Sequence, residues 1–201
     1  MLDRFILPLQ ARALSPAARA LAARGVRADA ITLAGFAVGL LAVPMLATGL
    51  YGAALGAIIL NRLADGLDGA VARLQGPTDR GAFLDVALDF FFYAAVPFGF
   101  ALADPGANAL AAAALILSFV GTGSSFLAFA GVAARRGMAS DAYPTKGIFY
   151  LGGLTEGFET IAVFCLMCLL PQWFAPLAWT FAAACALTTL TRWLAGWRAF
   201  G

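Results

Sequence analysis

Four aspartates lie within one stretch of an otherwise apolar chain, residues 65–89, and they form two closely spaced pairs. Asp65 and Asp68 are three residues apart, and Asp85 and Asp89 are four apart. On an α-helix either spacing puts both members of a pair on one surface. Carboxylates that face one another repel unless cations lie between them. Their oxygens suit hard divalent ions such as Mg²⁺ or Mn²⁺, and four carboxylates are enough to bridge two such ions.

Small residues and an arginine share the helix faces that carry these aspartates. Successive residues of an α-helix are about 100° apart around its axis. On the first helix, an arc of about 140° contains Asp65, Asp68, Gly69, Ala72 and Arg73. On the second helix, an arc of about 80° contains Gly81, Asp85 and Asp89. Small side chains leave room for a bulky ligand beside the backbone. An arginine next to metal-bound carboxylates is suited to binding phosphate oxygens. The pattern therefore predicts a metal-dependent site for phosphoryl transfer.

The composition of the chain places this site in a membrane protein. Of the 201 residues, 62% are apolar and 12% are charged, whereas soluble domains average about 45–50% apolar and about 25% charged residues. So few charges cannot cover a water-facing surface, which excludes an ordinary cytosolic enzyme. The chain has no histidine, which excludes His–zinc sites and Ser–His–Asp triads. A net charge of only +2 argues against a nucleic-acid partner.

Six apolar stretches approach the roughly 20 residues that a membrane-spanning helix needs. Turn signals such as Gly76-Pro77 and Asp104-Pro105-Gly106 separate them. We therefore expect an all-α integral membrane protein with a single domain over residues 1–201 and a six-helix bundle over residues 30–195. The predicted spans are residues 30–50, 51–74, 82–103, 107–133, 147–170 and 174–195.

The basic residues predict the orientation of these spans. Five arginines precede the first span, and further basic residues follow the second, fourth and sixth spans. The three alternate loops contain no lysine or arginine. Because cytoplasmic loops are enriched in these residues, both termini and the aspartate site are expected in the cytoplasm, most simply that of a bacterium with the protein in its inner membrane. Residues 1–27 are expected to form an interfacial amphipathic segment of two short helices, divided at Ser15-Pro16. Their arginines fit equally well, and compatibly, an ordinary basic segment that only sets the orientation.

Two roles besides metal binding could also account for the aspartates. Acid–base pairing between helices is one, but the pattern offers a single arginine, Arg73, to four acids. A path for cations or small solutes across the membrane is the second, since transporters also place acids at membrane depth. These acids gather at one side of the predicted bundle and do not continue across it, which disfavours a transporter.

The aspartate stretch resembles the CDP-alcohol phosphatidyltransferase family. The family pattern is D-x2-D-G-x2-A-R-x7or8-G-x3-D-x3-D, and this chain matches every fixed position with seven residues in the variable gap. The resemblance implies a homodimer in which each chain has six spans after an amphipathic segment. It also implies an enzyme of phospholipid biosynthesis, which transfers a phosphatidyl group from a CDP-linked lipid, above all CDP-diacylglycerol. A small polar alcohol would accept the group, and CMP would be released.

The same resemblance implies roles for individual residues. Two ions, Mg²⁺ or Mn²⁺, would be held by Asp65, Asp68, Asp85 and Asp89, and Asp89 would also be the general base for the acceptor hydroxyl. Contacts to the CDP moiety are implied for Asp29, Thr32, Gly69, Ala72, Arg73, Thr78 and Gly81. The family usually has P-N-x-x-T where this chain has Ala28-Asp29-Ala30-Ile31-Thr32. An aspartate at position 29 accepts hydrogen bonds but, unlike asparagine, donates none when ionised.

The remaining charged residues indicate an acceptor pocket without identifying its ligand. Basic residues would favour a phosphorylated acceptor, and acids would favour a neutral polyol or an amine-bearing alcohol. Arg135 and Arg136 are explained equally well as basic residues that set the orientation of the protein in the membrane. Glu156 and Glu159 are explained equally well by a structural role. A family member kept for partner binding without catalysis is a further alternative, although the intact motif argues against it. The candidate acceptor residues are Arg135, Arg136, Lys146, Glu156 and Glu159, with Arg192 near the cytoplasmic end of the sixth span.

Overall fold

The computed structural model describes residues 3–138 and 153–201, with side chains from residue 9 onward. Within these ranges the chain is mostly helical and contains no strand, which confirms the all-α prediction. A single 3₁₀ turn, Pro171–Trp173, precedes the last helix of the described residues. The helices are α1 Asp3–Ala23, α2 Ala28–Leu40, α3 Ala42–Ala47, α4 Tyr51–Gln75, α5 Asp79–Ala103, α6 Pro105–Arg135, α7 Gly157–Leu169 and α8 Phe174–Phe200.

Four helical segments are long and apolar enough to cross a membrane: Ala28–Ala47, Asp79–Ala103, Pro105–Arg135 and Pro171–Phe200. They correspond to the first, third, fourth and sixth predicted spans. Helix α4 has the length of a span but carries the charged residues of the site, and α7 is a shorter apolar helix. The start of the fifth predicted span, residues 147–152, lies outside the described residues. The structure therefore supports a membrane protein with four candidate spans and does not by itself establish six.

Local sequence explains where these helices begin and break. The hydroxyl of Thr78 accepts a hydrogen bond from the backbone N–H of Gly81 at 3.0 Å, which caps the start of α5. Asp104 caps α6 in the same way through the N–H of Ala107, and Pro105 follows at the first helical position. Between α2 and α3, Pro44 lacks the N–H that would bond to the carbonyl of Leu40, so the first span is divided into two helices.

The prediction of two short N-terminal helices is wrong. Helix α1 runs without interruption through Pro16. A proline inside a helix costs about 3 kcal/mol, but α1 is held from outside because Ala18 is fully buried against Ala70 and Val71 of α4. Packing against α4 therefore outweighs the helix-breaking tendency of the proline.

Helix α2 forms the contact that positions the site. It packs against both α4 and α5, which make few contacts with each other, so a cleft remains between those two helices. Gly35 and Gly39 are the buried residues of α2, and Gly35 lies against Ala64 of α4. A side chain at position 39 would come within 2.9 Å of the Asn61 side chain. Such small residues let membrane helices approach closely.

The main hydrophobic core is formed by buried residues of α3 to α8. Large aromatic side chains fill it, and the rings of Phe100 and Phe174 stack with their centroids 4.4 Å apart. Tyr93 is at the border between this core and the cleft, since its ring contacts Phe119 and Phe164 while its hydroxyl faces Asp89. Helix α5 is therefore fixed by the core on one side and presents its aspartates on the other.

Candidate active site

Three of the four predicted metal-binding aspartates converge across the cleft. Asp65 and Asp68 project from α4 and Asp85 from α5, and one carboxylate oxygen of each lies within 4.8 Å of the others. Asp68 is buried and Asp85 is exposed, so the group extends from the interior of the protein to its surface. Three hard oxygen ligands from two helices fit the requirements of a Mg²⁺ or Mn²⁺ ion.

Helix α2 completes this group through Thr32. The Thr32 hydroxyl donates a hydrogen bond of 2.5 Å to Oδ2 of Asp68, which fixes the orientation of that carboxylate. Hydrogen bonds of this kind hold metal ligands in place and tune the affinity of the site. The resemblance implied that Thr32 contacts CDP, and the structure places it beside the predicted metal ligands.

The fourth aspartate, Asp89, is held by an arginine that the sequence analysis missed. Nη2 of Arg62 donates to Oδ1 of Asp89 at 2.6 Å, and Nη1 lies 3.5 Å from Oδ2 of Asp65. The Tyr93 hydroxyl lies 3.5 Å from the other oxygen of Asp89. An arginine inside a predicted span, three residues before an aspartate, is itself a signal of function and would have identified this residue.

A narrow cavity between α2, α4 and α5 contains all these groups. The four aspartates, Thr32, Asn61 and Arg62 supply its polar wall, and apolar residues such as Phe36 and Leu88 line the rest. Four carboxylates and one guanidinium leave an excess of negative charge in partly buried surroundings. This charge favours divalent cations and, through them, a phosphate-bearing ligand.

The residues with implied CDP contacts fall into two groups around this cavity. Asp29, Thr78 and Gly81 lie together at the start of α5, where Nη2 of Arg80 pairs with Oδ2 of Asp29 at 2.5 Å. The other group is at the end of α4. There Gly69 and Ala72 are half-buried and Arg73 is exposed. A Cβ atom added to Gly69 would lie 3.5 Å from Nη1 of Arg73.

The candidate acceptor residues have different surroundings. Arg136 donates to the carbonyl oxygens of Ala199 and Phe200, so it caps the end of α8. Glu156 and Glu159 form a reciprocal capping box at the start of α7. Arg135 is exposed in the last turn of α6, and Lys146 lies outside the described residues.

Arg192 belongs to a second polar centre, between α6 and α8. It is buried, its Nη1 donates to the carbonyl oxygen of Thr122 at 3.0 Å, and its guanidinium lies 5.7 Å from the centre of the Phe126 ring. The hydroxyls of Thr155 and Thr188 are bonded to each other nearby, on the segment before α7 and on α8. This centre joins the beginning of α7 to the end of α8.

The fold and the site define a class of helical membrane protein that presents carboxylates from two helices to a shared cavity. A family model described as CDP-alcohol phosphatidyltransferase matches residues 26–193, so the chain belongs to this family of transferases, as the resemblance predicted.

The chain is also similar to individual proteins. The chain is 55% identical to the inner membrane protein YnjF of Escherichia coli K12 over 192 residues, which cover 96% of this chain and 93% of the relative. It also resembles two crystal structures of the phosphatidylinositol phosphate synthase PgsA1 of Mycobacterium tuberculosis. The complex with manganese and citrate has a TM-score of 0.73 and 23% identity, and covers 92% of this chain and 88% of that one. The structure with CDP-DAG bound has a TM-score of 0.68 and 24% identity, and covers 92% and 94%.

Proposed function

We propose that this protein transfers a phosphatidyl group from a CDP-linked lipid, CDP-diacylglycerol, to the hydroxyl of a small polar alcohol and releases CMP. The observation that carries the proposal is the convergence of Asp65, Asp68 and Asp85 within the family motif. The similar fold of PgsA1 with CDP-DAG bound supports the choice of donor. Family membership does not favour the alternative of a cation or small-solute transporter.

The aspartates are assigned to two tasks. Asp65, Asp68 and Asp85 hold a divalent ion, Mg²⁺ or Mn²⁺, which when bound neutralises pyrophosphate charge and stabilises the CMP leaving group. A second ion, implied by the resemblance, would require Asp89, whose Oδ1 is bonded to Arg62. Asp89 is the general base: the acceptor oxygen forms a bond to the lipid-side phosphorus, the bond from phosphorus to CMP breaks, and Asp89 takes the hydroxyl proton.

The CDP moiety is assigned to the two groups of residues beside the cavity. The exposed guanidinium of Arg73 is suited to phosphate oxygens, and Gly69 and Ala72 leave room for them beside α4. Gly81, Thr78, Thr32 and Asp29 then form the opposite side. The carboxylate of Asp29, oriented by Arg80, accepts a hydrogen bond from the amino group of cytosine.

We propose six spans, with both termini and the site in the cytoplasm, and one domain that assembles as a homodimer in a bacterial inner membrane. The E. coli relative is an inner membrane protein, which supports the location. Arg136 at the end of α6 contacts the end of α8, so these two ends lie on the same side of the membrane. Because α8 crosses the membrane once, the chain between α6 and α8 must cross it too, and we assign that crossing to α7. Helix α4 has 25 residues and, at about 1.5 Å per residue, is long enough to span the bilayer.

The acceptor is proposed as a small polar alcohol, without a choice between phosphorylated and neutral compounds. The exposed Arg135, and Lys146 by its charge alone, would favour the first kind. Glu156, Glu159 and Arg136 have structural contacts that account for them, so a role for them in the pocket would come in addition to capping.

A panel assay tests this function. Purified protein with CDP-diacylglycerol and Mn²⁺ is offered glycerol 3-phosphate, serine, inositol, inositol phosphate and choline, and CMP release is measured for each. We expect metal-dependent CMP release with one acceptor class. No release with any of them, combined with uptake of Mn²⁺ into proteoliposomes, would support the transporter instead. Absence of both activities together with absence of CDP binding in calorimetry would indicate a non-catalytic member of the family.

A further inference from the structure

An apolar groove runs along the contact between α2 and α4, outside the aspartate cavity. Its volume is about 400 Å³, within the range of about 300–1,000 Å³ that is usual for ligand sites. Every residue that lines it is apolar, and Ala30, Ala34 and Leu60 are exposed, so the groove is open to the surroundings of the protein. The larger side chains of its wall are Leu21, Val26, Ile31, Val38 and Leu67.

The groove and the aspartate cavity lie on opposite sides of the α2–α4 contact. Ile31 lines the groove, whereas the next residue, Thr32, lines the cavity. Gly35 lines both, and a Cβ atom added to it would collide with the Cβ atom of Ala64. The two helices therefore touch where the two spaces approach each other, and an acyl chain cannot pass between them. A lipid in the groove is consequently a different molecule from a CDP-linked donor bound at the aspartates.

The depth of the groove indicates that its occupant comes from the bilayer. The groove follows α2 from Ala30 to Val38, which is about 12 Å at about 1.5 Å per residue. This part of α2 belongs to the candidate span Ala28–Ala47, so lipid acyl chains surround it. A hydrocarbon tail is therefore the ligand that matches the apolar wall of the groove.

A basic turn lies at the end of the groove that faces the cytoplasm in the proposed orientation. Gly25, with φ +75°, ends α1, and the N–H of Val26 donates to the carbonyl oxygen of Leu21 at 3.1 Å. Arg24 and Arg27, on either side of this Gly25-Val26 pair, are both exposed. Nη2 of Arg27 is 3.5 Å from the Asp29 carboxylate, and the Arg27 side chain remains 69% exposed. Because guanidinium groups bind phosphate oxygens and basic residues attract anionic lipids, this turn complements a negatively charged headgroup.

We propose that the groove binds an acyl chain of an anionic phospholipid other than the CDP-linked donor, with the phosphate of that lipid at Arg24 and Arg27. The bound lipid contacts α1, α2 and α4 together. Because it binds the folded protein, it should raise the unfolding temperature. The inference does not depend on the proposed function, since lipid binding is measured without any transfer reaction.

Native mass spectrometry of the purified protein in detergent tests the inference, with dioleoyl phosphatidylglycerol and zwitterionic dioleoyl phosphatidylcholine titrated separately. We expect one phosphatidylglycerol per chain, bound about tenfold more tightly than phosphatidylcholine. Combining Arg24→Gln with Arg27→Gln should remove this preference, whereas Arg198→Gln, at an exposed position near the end of α8, should keep it. Added CDP-diacylglycerol should leave the phosphatidylglycerol bound.

A matched pair of α2 variants tests the groove itself. Ala34→Phe fills the groove from an exposed position, so we expect it to lose the tightly bound lipid. Ala37→Phe, at an exposed position of α2 that does not line the groove, should bind phosphatidylglycerol as the wild type does. Phosphatidylglycerol should raise the unfolding temperature of the wild type and of Ala37→Phe, but not that of Ala34→Phe.

Equal affinity of the wild-type protein for the two lipids would overturn the inference, and this result requires no variant to fold. Retention of phosphatidylglycerol by a folded Ala34→Phe would also overturn it. Displacement by CDP-diacylglycerol would overturn it by making the groove part of the donor site. A wild-type dimer that becomes a monomer in Ala34→Phe, with no lipid bound to either, would assign the groove to a second copy of the chain instead. Lipid binding without CMP release removes only the proposed function, and CMP release without this lipid preference removes only the inference.

Discussion

At the scale of single residues, four aspartates of one motif have different surroundings. Asp68 is buried and receives a hydrogen bond from Thr32, Asp85 is exposed, and Asp89 is bonded to Arg62. Their spacing predicted that they would come together, and three of them do. The fourth could not be assigned from spacing, because its partner Arg62 is 27 residues away along the chain. The packing of α2 against both α4 and α5 brings the two side chains together across the cleft.

Replacing the proposed base separates catalysis from metal binding. In Asp89→Asn the acceptor hydroxyl loses its proton acceptor, and loss of a general base typically lowers the rate by about 10²–10⁴-fold. We expect CMP release to fall by that factor while Mn²⁺ still binds, because Asp89 is outside the convergent group. CMP release and Mn²⁺ binding are measured on the same preparation.

Asp104→Asn is the matched control for this prediction. Asp104 caps α6 away from the cavity, and asparagine caps helices about as well, so activity should not change. Undiminished CMP release by Asp89→Asn would remove Asp89 as the base.

At the scale of elements, the residues that form turns and helix caps determined how accurately the ends of the helices were predicted. The span predicted at residues 51–74 is α4, Tyr51–Gln75, because glycine turns mark its two ends. Helix α5 begins three residues before the predicted start, because Thr78 caps it. The continuity of α1 and the break before α3 were not predicted, since the first depends on packing against α4 and the second on one missing hydrogen bond at Pro44.

The approach of α2 to α4 is what holds Asn61, and through it Arg62. Gly39→Ala places a methyl group 2.9 Å from the side chains of Asn61 and Phe92. Overpacking of this kind costs about 1–3 kcal/mol, so we expect a lower unfolding temperature and weaker CMP release.

Gly131→Ala on α6 is the comparison for this prediction, because a methyl group there meets nothing within 4 Å. Thermal unfolding in detergent should show this variant at or slightly above the wild-type value, since alanine favours helix. Equal unfolding temperatures for the Gly39 and Gly131 variants would show that the α2–α4 contact is not tight.

At the scale of the whole molecule, the distribution of charge is the basis of the proposed orientation in the membrane. Basic residues follow alternate spans of the six proposed, and the contact of Arg136 with the end of α8 agrees with this arrangement. Composition and charge predicted a helical membrane protein correctly. They did not predict that α2 would pack against both α4 and α5 and leave a cleft between those two helices, because the small buried glycines of α2 give no hydropathy signal.

Reporter fusions test the proposed orientation. Alkaline phosphatase, active only outside the cytoplasm, should be inactive when fused after residue 201, whereas green fluorescent protein should fluoresce there. Fusions after residue 104, between the third and fourth proposed spans, should show the opposite pattern. Active phosphatase at the C-terminus would reverse the orientation or change the number of spans.

The central claim is that carboxylates from α4 and α5 hold a divalent ion in the cavity. Crystals grown with Mn²⁺ and measured at the manganese absorption edge test it most directly. We predict an anomalous peak enclosed by the carboxylate oxygens of Asp65, Asp68 and Asp85. Absence of a peak there, with these side chains turned apart or facing lipid, would contradict the account.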